Sequence, residues 1–379
     1  MPHVLRPLPI SPADPLAILP DLELAITGRY SLLPLPAADQ TKSTLLKNSQ
    51  RAGEEIDADI ALVVPTSGST GTPKGAQLTA HNLISSADAT YQYLGGPGHW
   101  LLAMPAHHIA GLQVLIRSMV AGVEPLAIDV SAGFNISEFA RATRELKETG
   151  ERTYTSLAPM QLAKAMDTQV GIEALQSYDA ILVGGAATNP QLLESAARMQ
   201  INVVTTYGSS ETAGGCVYDG VALPGAQVRV DEGRIYLGGP TIAHGYRNAP
   251  GHEAFAEPGW FQTSDGGVLK NGVLTVTGRL DNIIDSGGLK LHPEVLENAM
   301  LKVTGVDQAC VVGIPHSRLG QAIVAAYTGN ASMTDILEAL EETHTPRWQL
   351  PKDLKQLAEM PVTGPGKIDR QAVVKLFSP

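Results

Sequence analysis

Residues Thr66–Gly75 read TSGSTGTPKG, and the apolar run Ile60-Ala61-Leu62-Val63-Val64 leads straight into them. Such a polar, glycine-rich stretch cannot pack a core, and its composition points to an anion. Glycine lets the backbone bend and approach a ligand closely. Successive N–H groups in such bends form concave anion sites, the hydroxyls add donors, and Lys74 adds a compact charge. The phosphate loop of P-loop NTPases requires Gly-x-x-x-x-Gly-Lys followed by Ser or Thr. Here Pro73 precedes Lys74 and Gly75 follows it. The magnesium-binding hydroxyl is missing, which leaves a phosphate loop of another kind. A flexible linker is the plain alternative. It fits poorly, because a buried strand ending in a polar glycine loop is a typical ligand position.

Outward from this stretch, apolar runs alternate with amphipathic ones. AILVGG at 180–185 and INVVTTYG at 201–208 read as further strands ending in Gly, Ser or Thr. Helical periodicity fits 81–94, 109–121, 137–149, 159–166 and 190–199. Strands alternating with helices predict α/β layers. Residues 1–58 are proline-rich and then helical in pattern, with little functional signal. From 215 to 278 the segments AQVRV, RIYLGG and VLTVTG predict antiparallel β structure. Beyond a charged glycine-rich connection at 278–297, the pattern predicts a small α+β domain. Its helices are expected near 293–303 and 333–344, and its strands near 307–313 and 322–328. The domain boundary is expected at Leu280–Asn282, giving a large N-terminal domain over 1–280 and a small domain over 281–379. The large domain would combine layered α/β subdomains with a β-rich subdomain.

Composition narrows the partners. The chain has 379 residues and a formal net charge of −11, with no basic cluster, which argues against a nucleic-acid backbone as ligand. Hydrophobic residues make up 44%, enough for a large core, and aromatics only 5%, too few for a base-stacking surface. The two cysteines, Cys216 and Cys310, give neither a disulfide framework nor a metal spacing. The start MPHVLRPLPI lacks a signal-peptide core, and no run reaches membrane-span length. A cytoplasmic protein without membrane insertion is the expectation.

Four further stretches accompany the loop: YGSSET at 207–212, GWFQTSD at 259–265, GRLDNIIDSGG at 278–288 and PVTGPGKIDR at 361–370. In order and spacing the set resembles the adenylate-forming superfamily of acyl- and aryl-CoA ligases. Within it, MPAHHIAGLQVLIRSMVAG at 104–122 and the short segment before the loop look like the 2-succinylbenzoate–CoA ligase branch of menaquinone biosynthesis, in its compact actinobacterial form. The resemblance implies ATP, Mg2+ and coenzyme A, with 2-succinylbenzoate as the acid, and is compatible with a homodimer. A ligase for another aryl or acyl acid, a stand-alone domain loading a carrier thiol, and a nucleotide sensor without chemistry are the alternatives.

The resemblance also assigns roles. Thr66, Ser67, Gly68, Ser69, Thr70 and Gly71 would hold the β- and γ-phosphates, with Lys74 adding charge. Glu211 would bind magnesium, a hard cation that takes oxygen ligands, and Thr212 would donate to the α-phosphate. Tyr207, beside Gly208, would stack on adenine, and Gly184, Gly185 and Ala186 would line the adenine and acyl pocket. Asp265 would accept from the ribose hydroxyls, with Arg279 reaching ribose or phosphate. Asp281 would be the hinge, and Ser286, Gly287 and Gly288 would face the pantetheine channel. Lys367 would deliver charge to the adenylation transition state.

His108, beside His107, would close the acyl pocket. Paired histidines invite a metal reading, but no carboxylate or cysteine pattern supports one. The second carboxylate of 2-succinylbenzoate needs a partner once buried. Lys164 is the preferred candidate and Arg117 the other, with Ser156 and Gln161 as nearby polar groups.

Overall fold

A computed structural model describes residues 2–66, 72–342, 345–363 and 367–377. The chain forms two compact units, Met1–Arg229 with Tyr236–Gln262, and Val230–Ile235 with Thr263–Pro379. The sequence reading places a boundary at Leu280–Asn282. The units divide earlier because the strand Val273–Arg279 packs with the helix Pro293–Met300.

The first unit opens with a five-stranded sheet in the order Glu55–Ile56, His3–Ile10, Ser31–Pro36, Ile60–Pro65, Gly75–Thr79. His3–Ile10, Ser31–Pro36 and Ile60–Pro65 are parallel neighbours. The prolines in HVLRPLPI and SLLPLP hid these two strands from sequence reasoning. Leu5 donates its N–H outward to Glu54 O at 3.0 Å. Pro7 and Pro9 share that parity, so their missing N–H groups face the outer side, beyond the pairing with Glu55–Ile56 at His3 and Val4. There a missing donor removes no ladder bond.

A larger sheet in the same unit carries the parallel strands Leu126–Ala127, His99–Leu102, Thr153–Leu157, Ala180–Val183 and Val203–Ser209, followed by antiparallel Gly214–Tyr218. The expected helices occur as Ala80–Leu94, Ile109–Ala121, Ile136–Lys147, Pro159–Met166 and Pro190–Arg198. Their caps follow from sequence. Thr79 and Asn82 form a capping box at the first, and Gly95 and Gly122 take the left-handed conformation at two C-termini. Leu83, Leu112, Val114 and Leu115 bury one face in a core with Trp100 and Tyr154. Phe139, Leu146, Leu162 and Leu175 fill a second core with Leu101, Leu157 and Ile181. Successive residues of Thr153–Leu157 therefore face different cores, as a central strand buried on both sides requires.

The second unit contains the antiparallel strands Trp260–Lys270 and Val273–Arg279 from Thr263 onward, in register at Asp265↔Arg279. Its own sheet pairs Val306–His316 with Gly320–Gly329, flanked by Ile284–Ser286, Leu289–Leu291 and Asp353–Gln356. The helices Pro293–Met300 and Met333–Glu342 cover a core that includes Leu296, Met300, Ile336, Leu340 and Tyr327. These are the expected α+β elements. Among the described residues no helix is long and apolar enough to cross a membrane.

Candidate active site

The glycine-rich stretch is the connection of an antiparallel hairpin. Ile60–Pro65 and Gly75–Thr79 pair in register Pro65↔Gly75, and Thr66 N–H donates to Lys74 O at 2.7 Å. The continuous apolar run Ile60–Val64 makes the first strand, Gly75–Thr79 the second, and Thr72-Pro73 separates them. Ser67, Gly68, Ser69, Thr70 and Gly71 lie outside the described residues.

Lys74 Nζ lies 2.8 Å from His252 Nε2 and 5.2 Å above the Tyr246 ring. Tyr246 OH donates to Glu211 Oε1 at 2.7 Å and meets the His252 ring edge-on. His252 Nδ1 accepts Ala254 N–H at 3.1 Å, so the neutral ring presents a donor at Nε2. Lys74 thus faces a second donor, a contact it can relinquish to an anion. Desolvation first, and then Lys74, push the His252 pKa down.

Glu211 is 7% exposed and sits in a short 3-10 turn, Ser210–Thr212. Its backbone O accepts Ala243 N–H at 2.9 Å. Among the described residues no group of three His, Cys, Asp or Glu could hold a metal. A single oriented carboxylate nonetheless suits magnesium, which takes most of its oxygens from phosphate and water. Thr212, the expected α-phosphate donor, has its hydroxyl donating to Gly214 O at 2.7 Å and accepting Ser209 N–H at 2.9 Å, so it also braces the turn from a fully buried position.

Tyr207 and Gly208 lie at a register irregularity in Val203–Ser209. A Cβ on Gly184 would strike Thr206, so glycine lets adjacent strand ends close up. Gly185 has φ +83° and, like Ala186, is exposed beyond the carboxyl end of its strand. Parallel pairing places these residues at the end of the sheet where ligands of such folds bind.

His107 and His108 follow the strand His99–Leu102 and precede the helix Ile109–Ala121, their rings 4.2 Å apart. Desolvation pushes His107 down to about 4 and His108 to about 3, with Lys42 adding to both shifts and His107 adding to that of His108. Both rings are neutral at neutral pH. Lys42 carried no sequence signal of this kind.

The candidate acyl ligands are placed differently from one another. Arg117 is 3% exposed, with its guanidinium 4.9 Å from the Trp100 ring and Nη2 donating to Tyr218 OH at 3.3 Å. Trp100 Nε1 donates to Tyr91 OH, which donates to Arg117 O at 2.6 Å. Burial is the main cause that drives the Tyr91 pKa up to about 12. Lys164 is exposed, and its Nζ donates to Phe134 O at 2.8 Å. Gln161 has both amide atoms engaged, accepting Ala158 N–H at 2.8 Å and donating to Ala103 O at 2.7 Å. Ser156 is buried near the carboxyl end of Thr153–Leu157.

In the second unit four expected residues converge. Arg279 Nη1 lies 3.7 Å from Asp265 Oδ1, and Arg279 Nε donates to Asp281 Oδ1 at 2.8 Å. Burial raises the Asp281 pKa, but the Arg279 bonds and the charges of Arg279 and Lys367 outweigh it and hold the carboxyl low. Lys367 opens a two-residue strand paired as Thr363↔Lys367. Crowding of its ammonium by protein, and then Arg279, lower its pKa against the pull of Asp265 and Asp281. Residues as far apart in the chain as Asp265 and Lys367 thus share one field. Glu294, which sequence reasoning missed, accepts Arg279 N–H at 3.2 Å and Asn282 Nδ2–H at 3.4 Å, and its Oε1 lies 3.5 Å from Arg370. Gly287 and Gly288 take positive φ in the turn after Ser286, and Gly288 N–H donates to Asp285 Oδ1 at 2.9 Å.

In the first unit Lys74 and the buried Glu211 both contact Tyr246, and in the second Lys367 lies in the field of Asp265, Arg279 and Asp281; the chemistry of each set suits a phosphorylated, anionic ligand. Residues 23–247 match the AMP-binding enzyme family, and residues 295–367 match the AMP-binding enzyme C-terminal domain. The chain belongs to the AMP-binding enzyme family. This AMP-binding enzyme is 46% identical over 370 residues to a protein of Mycobacterium tuberculosis named "Probable 2-succinylbenzoate--CoA ligase", covering 95% of each chain. It is 29% identical to the 2-succinylbenzoate–CoA ligase of Escherichia coli K12, over 97% of this chain and 81% of that one. The Bacillus subtilis o-succinylbenzoate CoA synthetase, solved with the acyl-adenylate OSB-AMP, shares the fold. Its TM-score is 0.82 at 22% identity, over 98% of this chain and 88% of that one.

Proposed function

We propose that this AMP-binding enzyme ligates 2-succinylbenzoate to coenzyme A in menaquinone biosynthesis, using ATP and magnesium. The observation that carries the reading is the 46% identity to the M. tuberculosis protein along 95% of both chains. In the first step a carboxylate oxygen attacks the α-phosphorus, the bond to the bridging oxygen breaks, and pyrophosphate leaves. In the second the thiol sulfur attacks the acyl carbon, the acyl–phosphate C–O bond breaks, and AMP leaves while the thiol proton passes to solvent.

Lys74 and the hairpin loop would hold the pyrophosphate end. Glu211 would hold magnesium, which supplies neutralisation of phosphate charge. Asp265, aligned by Arg279, would accept from the ribose hydroxyls. Lys367 would stabilise negative charge spreading over phosphorus, where preorganised cations contribute most. Asp281 would absorb the dihedral change as the C-terminal part changes pose between steps. The neutral rings of His107 and His108 can line an acyl pocket without the desolvation cost of buried charge. Arg117, whose Nε has no hydrogen-bond partner among the described residues, is then better placed than exposed Lys164 to answer a buried carboxylate.

The test is thioester formation with ATP, magnesium and coenzyme A, comparing 2-succinylbenzoate with benzoate, succinate and a medium-chain fatty acid. Selective turnover of 2-succinylbenzoate is expected. Turnover of a different acid alone would overturn the substrate, and pyrophosphate exchange without thioester would overturn coenzyme A as acceptor.

A further inference from the structure

Pro73 O, one residue before Lys74, receives two side-chain donors. Gln50 Nε2 reaches it at 2.7 Å and Asn248 Nδ2 at 2.9 Å. Asn248 Oδ1 also accepts Gly75 N–H at 3.2 Å, and Arg247 N–H donates to Gly75 O at 2.8 Å. The peptide groups on both sides of Lys74 are therefore held from outside the hairpin. Arg247 ties its own segment back to the other anchor, donating to Glu55 O at 2.7 Å and to Gln50 O at 3.4 Å.

Gln50 caps the helix Gln40–Ser49 and is fully buried. A Cβ on Gly75 would collide with its Oε1, so glycine at 75 is what lets the amide approach. Among the described residues that Oε1 is buried without a hydrogen-bond partner, a cost that an apolar side chain of similar shape would avoid. What the glutamine supplies instead is its Nε2, which donates to Ser49 Oγ at 3.1 Å and to Pro73 O.

We propose that Gln50 and Asn248 are positioning residues for Lys74, and through it for the phosphate end of ATP, because they grip the peptides on either side of that lysine. This rests on the nucleotide reading of the site and not on which acid is used.

The test is calorimetric titration of the whole chain, without acid, by magnesium-ATP and by AMP, which lacks the β- and γ-phosphates. Gln50→Leu and Asn248→Ala are each expected to weaken ATP by about tenfold, the scale of one lost hydrogen bond. AMP affinity should stay within about twofold. Wild-type ATP affinity in both variants, or an equal loss for ATP and AMP, would overturn the positioning role. A wild-type chain that binds neither nucleotide would overturn the nucleotide reading itself. If Gln50→Leu fails to fold, Asn248→Ala makes the same comparison alone.

Discussion

Lys74 leaves its loop with both flanking peptides bonded to remote side chains, and its ammonium rests against His252 and Tyr246. Lys367 opens a strand of two residues and lies in the field of Arg279, Asp265 and Asp281. The first is a fixed cation, suited to contacts that persist from ground state to transition state. The second is delivered on a minimal element, suited to a contact made at one step. Binding energy realised only in the transition state raises the rate, whereas uniform binding lowers KM. The two lysines divide those tasks in the proposed mechanism.

The sharpest way to break this contrast is Lys367→Ala. Adenylation should fall on the order of 100-fold or more, as when one transition-state donor is removed. Thioester formation from pre-made acyl-adenylate should change little, and equal losses in both half-reactions would remove the contrast. Lys74→Ala should act differently, raising KM for ATP by about tenfold with a smaller effect on kcat; steady-state kinetics in ATP would read the split. Glu294→Gln keeps the shape but weakens the bonds to Arg279 N–H and Arg370, and should slow adenylation by a few-fold. Unchanged half-reaction rates would show that the Lys367 side needs no such brace.

The smallest effect is graded with pH. His107 and His108 have folded pKa values of about 4 and about 3, below the ordinary 6.5. The unfolded chain therefore binds more protons, and their stabilising contribution is present above pH ~6.5 and lost as pH falls toward 4 and 3. Urea denaturation at neutral and acid pH should show this slope, flattened in the double variant His107→Asn, His108→Asn.

Much of this was legible in sequence. The Ile60–Val64 run, the helix periodicities and the antiparallel segments after 215 all formed as read, because local hydrophobic period and turn chemistry agree with the tertiary fold there. The strands around Pro7, Pro9 and Pro34 were not legible, since proline argues against a strand; the open edge accounts for Pro7 and Pro9, whereas Pro34 sits in an inner strand. The structural bonds of Thr212 and Gln161 were equally hidden: the hydroxyl reaches a carbonyl two residues on, and the amide one across 58 positions. Gln50 and Asn248 act on Pro73 across 23 and 175 positions, and their target is a carbonyl, which leaves no pattern in side-chain identities.

The outward face of His3–Ile10 has a consequence for assembly. A strand from another molecule sliding along that edge would find carbonyl acceptors but no donors at Pro7 and Pro9, so a continuous intermolecular ladder cannot form there. The residues that disguised this strand in the sequence are also its guard against growth of the sheet from one molecule into the next.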